Sequence, residues 1–349
     1  MASGSEGANN LCAIYVDMGT TNTRVWLLQR DRVVGCASQP IGIRDAARGD
    51  AERLRNCLRE LIADVCAQGR RASEPCTPTH VAAAGMITSS LGLAEVPHIH
   101  PPAGLEELTA AARWHRFGNV TDLPILLVPG LRSSVMQPSV ESIHAVDVMR
   151  GEETLCAGLI AVGIVSPPAV VLNLGSHWKA IRLGKDGKIQ SSVTSLSGEL
   201  MHVTQEHTIL ASSLPSGRPQ SLSMEWMEAG MREQRLSGLA RALFCVRLLQ
   251  LENQGTPEDR SAFMAGAFIA SDLDAFLSGS VIEPGMHVAL VGNSALVESW
   301  QKALSSARVT STVTTQQQAE AALLEALRRI LGAAVAGTRA VSQQADAST

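Results

Sequence analysis

Asp17-Met18-Gly19-Thr20-Thr21-Asn22-Thr23-Arg24 sits where one apolar run, Leu11 to Val16, turns directly into a second, Val25 to Leu28. A tight strand-to-strand turn with an acid at its mouth, one glycine and a row of hydroxyls is suited to holding a triphosphate. Backbone N–H groups of Gly19, Thr20, Thr21 and Asn22 face the anion, and glycine lets that backbone approach closely. Asp17 then holds Mg²⁺ through water, because magnesium keeps much of its hydration shell and takes only one or two carboxylates. The alternative is a plain hairpin turn in which Asp, Thr and Asn bond their own backbone.

A second turn downstream favours the phosphate reading. Val171-Leu172-Asn173-Leu174-Gly175-Ser176-His177-Trp178-Lys179 is again a strand, a glycine, a hydroxyl and a strand. Two such turns facing each other across a cleft would clamp one triphosphate. Gly175, Ser176 and His177 would line it, and Lys179 would reach phosphate as a point charge or sit at a strand edge in solvent. Further on, Leu290-Val291-Gly292-Asn293-Ser294-Ala295-Leu296 gives a strand, a glycine turn and a helix start. There the base and ribose of a nucleotide would lie against bare backbone and the helix N-terminus, over Gly292, Asn293 and Ser294.

A chain of 349 residues with 45% apolar content implies two domains, each with its own core. A net charge of −4 gives no basic field for nucleic acid or anionic lipid. The seven cysteines are odd in number, scattered and without a C-x-x-C pair, so neither a disulfide framework nor a zinc site is expected, and a reducing cytoplasm fits best. Met1 to Asn10 is small and polar and reads as a frayed tail rather than a signal peptide. Cys156 to Leu174, the most apolar long stretch, is broken by Ser166-Pro167-Pro168, so no membrane span is expected.

Strand-like runs at 11–16, 24–28 and 33–38 precede an amphipathic helix over 50–67. Short buried strands at 80–84 and 125–128 flank a helix near 105–113, and a helix over 151–162 leads into the Pro-Pro break. Beyond it the pattern restarts with strands at 169–174, 178–183 and 189–194. Helices follow from about 198, over 238–251 and 262–277, then a strand at 288–291, a helix from 295, a strand at 309–313 and a helix over 316–336. Two halves that each open with three strands and continue in helices form an internal repeat of architecture. The helices over 262–277 and 316–336 are apolar enough to offer a homodimer surface, or simply to pack internally. No G-x-x-x-x-G-K-[ST], G-x-G-x-x-G or G-x-S-x-G occurs, so P-loop, dinucleotide-binding and hydrolase-elbow chemistries lack their loops.

This order of turns resembles the sugar kinase, heat-shock protein 70 and actin superfamily, whose nucleotide sits in a cleft between two ribonuclease-H-like domains; Asp17 to Arg24 looks like its hexokinase-type first phosphate motif. Val148-Met149-Arg150-Gly151-Glu152-Glu153-Thr154, Leu174 to Lys179 and Leu196-Ser197-Gly198-Glu199-Leu200-Met201-His202 look like the 2-dehydro-3-deoxygalactonokinase family, over Ala13 to about Ala336. The resemblance implies an α/β chain of two ribonuclease-H-like domains, an actin-like ATPase fold, with its first domain over 11–163 and its second over 164–340, and tails at 1–10 and 341–349. It implies ATP-dependent phosphorylation of the terminal 6-hydroxyl of 2-dehydro-3-deoxy-D-galactonate in galactonate breakdown, with ATP and Mg²⁺ as cofactors. Closure of the two domains about a hinge over 163–169 would expel water. The second turn departs from the wider superfamily, which often carries an acid and Gly-Thr-Gly where this chain has Asn173 and Gly-Ser-His. A related 2-keto-3-deoxy sugar acid as substrate, or a non-catalytic sugar-acid and ATP-binding regulator, are the alternatives.

Phosphoryl transfer to a hydroxyl needs positioning, charge neutralisation and a carboxylate to receive the proton. By the resemblance, Asp147 lies where hexokinase-like enzymes place that carboxylate, just before the crossing helix. It would otherwise be a helix N-terminal acid paired to the dipole. Glu152 and Glu153 are the other acids for catalysis, for sugar hydroxyls or for orienting Arg150. A sugar acid needs a cation at its carboxylate, and Arg24 and Arg150 offer planar forks, unless each forms a structural salt bridge. Glu199 and His202 are expected at the substrate or in a buried polar network. With Glu206 and His207 they superficially suggest a metal site, but without H-E-x-x-H.

Overall fold

The computed structural model describes residues 11–47, 51–133, 138–217, 221–292 and 294–346. The chain divides into two compact units, Met1–Gly163 with Glu320–Thr349, and Ile164–Ala319.

In the first unit β1 (Cys12–Met18), β2 (Thr23–Gln29) and β3 (Arg32–Gln39) form an antiparallel meander. Helices α1 (Ile43–Ala47) and α2 (Ala51–Arg71) follow. β4 (His80–Gly85) then runs parallel to β1, pairing Ala13 with His80 and Met18 with Gly85. Beyond α3 (Leu105–Ala111), β5 (Arg113–Phe117) and β6 (Thr121–Leu127) complete a sheet of order β3-β2-β1-β4-β6-β5. β7 (Leu131–Ser133) and β8 (Asp147–Met149) pair as a separate ribbon, and α4 (Glu152–Ala161) ends this half. β1 is buried on both faces, with Ile14, Val16 and Met18 in one core and Ala13 and Tyr15 in another, which is why it reads as an unbroken apolar run. The stripe Leu54, Cys57, Leu58, Leu61, Ile62 and Val65 turns α2 onto the first of these cores.

In the second unit β9 (Ala169–Leu174), β10 (Trp178–Leu183) and β11 (Ile189–Ser195) repeat the meander. After α5 (Ser197–His207), α6 (Met224–Ser237), α7 (Leu239–Leu251) and α8 (Pro257–Ser278), β12 (His287–Gly292) pairs parallel to β9. α9 (Ser294–Ser306), β13 (Thr310–Thr314) and α10 (Gln316–Asp346) close the chain, and the sheet order is β11-β10-β9-β12-β13. Each unit therefore has three antiparallel strands followed by strands parallel to the first, with β5 antiparallel at the edge of the first sheet.

The second domain expected over 164–340 is corrected at its end, because α10 from Glu320 onward belongs to the first unit. Leu323, Leu324, Leu327, Ile330 and Leu331 bury against Ala13, Tyr15, Trp26 and Leu28. Five large aliphatic side chains contribute on the order of 10 kcal/mol of transfer free energy before chain entropy is subtracted. Trp26 Nε1 donates to Glu320 Oε1 at 2.9 Å. Gly158 of α4 must be glycine, since a Cβ there would lie 1.9 Å from the Ala322 carbonyl oxygen. Of the two apolar helices, α10 packs Leu323, Leu324, Leu327, Ile330 and Leu331 internally, and α8 is buried along most of its length. α8 is long and apolar enough to cross a membrane, but 72% of its apolar window is buried inside the fold, as for a core helix.

Candidate active site

The 17–24 turn is braced from behind. Gly19 N–H donates to the Asn22 carbonyl at 2.8 Å, closing the turn. Ile43 and Arg44, at the head of α1, donate their N–H groups to the carbonyls of Gly19 (3.2 Å) and Thr20 (3.0 Å). Those carbonyls are thereby paired within the fold. The approach is close enough to require Gly42, whose Cβ would fall 2.6 Å from the Thr20–Thr21 peptide. Thr23 is fully buried and donates its hydroxyl to the Ile41 carbonyl at 2.7 Å, so it anchors the turn, while Asn22 Nδ2 donates to Thr21 Oγ1 at 3.0 Å.

Asp17 and Arg24 face each other in register across the hairpin, Arg24 Nη2 donating to Asp17 Oδ2 at 2.6 Å. The guanidinium also lies 5.4 Å from the ring of Trp26. Arg24, expected at a substrate carboxylate, is engaged with the acid of its own turn. Beside Asp17 stands Gly85 at the end of β4, with φ of 87°; a Cβ there would meet the Met18 carbonyl oxygen at 2.4 Å and Asp17 Oδ1 at 3.4 Å. Gly151, with φ of 110°, comes next, its hypothetical Cβ 3.4 Å from Gly85 Cα. Three segments distant in sequence, 17–24, 85–88 and 150–154, thus converge.

Arg150 and Glu153 fasten this convergence from the inside. Arg150 donates to Thr88 Oγ1 (2.8 Å) and the Val96 carbonyl (3.1 Å) and lies 3.4 Å from His98 Nδ1. Thr88 in turn donates to the Gly85 carbonyl at 3.0 Å. Burial, and then the charges of Arg150 and Arg132, push His98 down to about 4, so it is neutral at neutral pH. Glu153 is completely buried; both its oxygens accept Gly151 N–H, at 2.8 and 2.9 Å, and Oε1 also accepts the Thr154 hydroxyl at 3.1 Å. Desolvation, aided by the neighbouring charge of Glu152, raises it to about 7 against the lowering effect of those hydrogen bonds. Glu153, expected at the substrate, has no exposed surface here and spends both its oxygens on the turn. Arg150, expected beside the reacting groups, is likewise committed to Thr88 and Val96. Glu152 stands at the first position of α4. Asp147 lies in β8, paired with Ser133, five residues before that helix, which excludes the helix-cap alternative for it.

In the second unit Gly175-Ser176-His177 joins β9 to β10, and Gly198 at the start of α5 packs against it; a Cβ would fall 2.5 Å from the Gly175 carbonyl oxygen. His177 Nε2 and Glu199 Oε2 lie 3.2 Å apart, so His177 leans onto α5 and Glu199 is engaged there. Lys179 is only 4% exposed, opposite Asn173 and Thr194 in register, which replaces the solvent-edge alternative with a buried one. Gly292 pairs with Leu174 and cannot carry a Cβ, which would lie 2.8 Å from Leu174 Cβ. Asn293 and the side chain of Ser294 lie outside the described residues. Leu174, Gly175, Gly198, Met201, His202, Ala295 and Leu296 are among the walls of a small pocket of about 70 Å³. His202, expected at the sugar, thus lines a largely apolar pocket in the second unit. Among the described residues no group of three or more His, Cys, Asp or Glu is arranged to hold a metal.

Sequence reasoning missed Gly42, Gly85, Thr88 and His98. Gly85 had a signal, since Val81-Ala82-Ala83-Ala84-Gly85 is a buried strand ending on a glycine. The others act through bonds between distant segments and leave no local pattern.

Comparison with known proteins accords with this geometry. A 2-dehydro-3-deoxygalactonokinase of Escherichia coli (strain K12) is 27% identical over 261 residues, covering 74% of this chain and 78% of that protein. A solved structure from Sinorhizobium meliloti, assigned as a 2-dehydro-3-deoxygalactonokinase, superposes with a TM-score of 0.70 at 25% identity, over 90% of this chain and 96% of that one. The activator of 2-hydroxyisocaproyl-CoA dehydratase from Clostridium difficile, solved with ADPNP, shares the fold at a TM-score of 0.51 and 13% identity, over 94% and 98% of the two chains. The model of the 2-keto-3-deoxy-galactonokinase family matches residues 17–329, and the chain belongs to that family of ATP-dependent carbohydrate kinases.

Proposed function

We propose that the chain transfers the terminal phosphoryl group of ATP to the 6-hydroxyl of 2-dehydro-3-deoxy-D-galactonate, in the cytoplasm, as a step of galactonate breakdown. The observation that carries this reading is the contact series Asp17, Gly85, Gly151, which sets the phosphate-type turn against the head of α4. Oxygen–phosphorus bond formation at the sugar hydroxyl accompanies cleavage of the bond between that phosphorus and the β,γ-bridging oxygen. ADP leaves, and the hydroxyl proton passes to a carboxylate. Asp147 is that carboxylate, with Glu152 at the first position of α4 as a sugar-hydroxyl ligand.

The donor set suits magnesium. Asp17 commits Oδ2 to Arg24 and keeps Oδ1 beside Gly85, which matches an ion that retains its waters and needs only one or two carboxylates. Asp17 would hold it through water, and the ion would neutralise phosphate charge. On the second unit, Gly175, Ser176 and His177 form the other phosphate turn, Lys179 supplies positive charge beneath it, and Gly292 with the head of α9 borders the adenosine pocket. His202 belongs to that pocket and Glu199 to the turn.

ADP release measured across a panel of 2-keto-3-deoxy sugar acids tests the reading, with ³¹P spectroscopy locating the phosphate. The 6-phosphate of the galactonate-derived acid is the expected product. Preference for the gluconate-derived acid would reassign the substrate, and nucleotide binding without ADP release would leave a non-catalytic regulator.

A further inference from the structure

Ser197, Gly198 and Glu199, consecutive at the head of α5, each hold a different part of the second unit. Ser197 is 4% exposed and donates its hydroxyl to Asp272 Oδ1, on α8, at 2.9 Å. Its Oγ also lies 2.7 Å from Ser195 Oγ, and its N–H donates to that same hydroxyl at 3.1 Å. Gly198 meets the turn between β9 and β10, where a Cβ would fall 2.5 Å from the Gly175 carbonyl oxygen and 2.6 Å from that of Ser176. Glu199 reaches His177 at 3.2 Å. Asp272 is 8% exposed, and among the described residues its Oδ2 has no hydrogen-bond partner. Burial pushes its carboxyl above the ordinary value, against hydrogen bonds from Ser195 and Ser197. Burying a carboxyl is costly, and this one directs its hydrogen bonds to the segment that leads into Gly198.

The contacts of Gly198 also fix which way the turn faces. The carbonyl oxygens of Gly175 and Ser176 converge on Gly198, and in a trans peptide the N–H points opposite to the C=O. The amides of Ser176 and His177 are therefore directed away from α5. Two successive N–H groups turned to one side are the elementary form of a backbone anion site. We propose that Asp272 and Ser197 are positioning residues for phosphate binding: by tying the head of α5 to α8 they hold Gly198 against the turn and keep the Ser176 and His177 amides aimed at a phosphate of the donor. The inference rests on reading residues 175–177 as the second phosphate turn. Neither side chain touches the nucleotide; both act through Gly198.

Displacement of a fluorescent ATP analogue by adenosine and by AMPPNP measures how much affinity the phosphates add. In the wild type AMPPNP is expected to bind more tightly than adenosine. Asp272→Ala and Ser197→Ala should each lower that preference about 10-fold, the weight of one hydrogen bond to a charged group, with adenosine affinity held within about two-fold. Asp272→Asn keeps a carbonyl oxygen for the Ser197 hydroxyl and should restore the preference even where thermal stability falls. Ser197→Ala removes a single hydroxyl and carries the test if the Asp272→Ala protein does not fold. A pair that only supports the core would lower thermal stability and leave the preference at its wild-type value, which overturns the proposal, as does equal weakening of both ligands. An Asp272→Asn preference as low as that of the alanine variant overturns it as well. A wild type that binds adenosine as tightly as AMPPNP removes the phosphate reading of the turn and the proposal with it; a clear wild-type preference that no variant moves removes the proposal alone.

Discussion

Glu153 bonds the amide N–H of Gly151 with both carboxylate oxygens, at 2.8 and 2.9 Å, while Arg150, the residue before that glycine, reaches the other way to Thr88. The M-R-G-E-E-T segment is thus pinned on both sides of the glycine that touches Gly85, and the two charged side chains most suggestive of chemistry serve to position backbone.

This buried carboxylate makes stability pH-dependent. Its value near 7 lies above the 4.5 of an ordinary glutamate, so the folded state binds the proton more tightly than the unfolded one. The protonated form is free of the burial cost below pH 4.5, and the cost grows as pH rises through the folded value, reaching about 3 kcal/mol above pH 7. His98 works in the opposite direction: lowered to about 4 from 6.5, it favours the folded state above pH 6.5 and withdraws that support as pH falls toward 4. Wild-type stability between pH 4.5 and 6.5 is expected to be nearly flat, as the two effects oppose. Glu153→Gln, which keeps a carbonyl acceptor for Gly151, should expose the histidine alone, so that urea midpoints rise steadily over this interval. A variant curve parallel to the wild type would show that Glu153 does not titrate there.

Gly85 allows no side chain. Alanine would combine a positive φ with a Cβ 2.4 Å from the Met18 carbonyl, so Gly85→Ala is expected to cost at least about 2 kcal/mol and to displace Asp17. Gly151→Ala meets only an ordinary 3.4 Å contact, and its cost is the backbone strain alone, about 1 to 3 kcal/mol. Gly118→Ala, with open space around it, is the control and should be neutral. Thermal unfolding of the three variants ranks them; equal effects at 85 and 118 would refute the close approach.

The Asp17–Arg24 pair separates two roles for the arginine. Arg24 is 38% exposed in its side chain, so the pair itself contributes at most about 1 kcal/mol to stability. If Arg24 orients Asp17, Arg24→Ala should lower kcat about 10- to 100-fold while KM for the sugar acid changes little. Binding of the substrate carboxylate by Arg24 would instead raise that KM with kcat held. The first pattern is expected, since the fork is spent on Asp17 and Trp26.

Much of this arrangement is legible in the sequence where one short segment determines it. The strands over 169–174 and 178–183 stand where their apolar runs place them, and the 17–24 turn follows from an acid, a glycine and hydroxyls between two such runs. β5 is not legible: Arg113-Trp114-His115-Arg116-Phe117 is an edge strand with three exposed residues and no apolar alternation. β7 and β8, three residues each, exist only through one another. The periodicity of α10 reveals an apolar face but not its partner, so the helix could not be assigned to the first unit from its own residues. Glu152 and Glu153 are adjacent acids with the same local signature. Only the fold decides that the second is buried under the turn and the first left at the helix head.

Asp147 stands on β8, three residues before the Arg150–Gly151 turn, with its strand held by Ser133. A short strand fixes a carboxylate more firmly than a fraying helix end, and a general base must be held within hydrogen-bond reach of the proton it takes. Asp147→Asn preserves shape and removes the proton acceptor, so turnover should fall about 10²- to 10⁴-fold while nucleotide affinity stays within a few-fold of wild type. Glu152→Gln should instead act mainly on KM for the sugar acid, as expected of a hydroxyl ligand. Steady-state kinetics of both variants, with ADP affinity measured alongside, distinguishes them: near-normal turnover in Asp147→Asn with collapse in Glu152→Gln would exchange the two assignments.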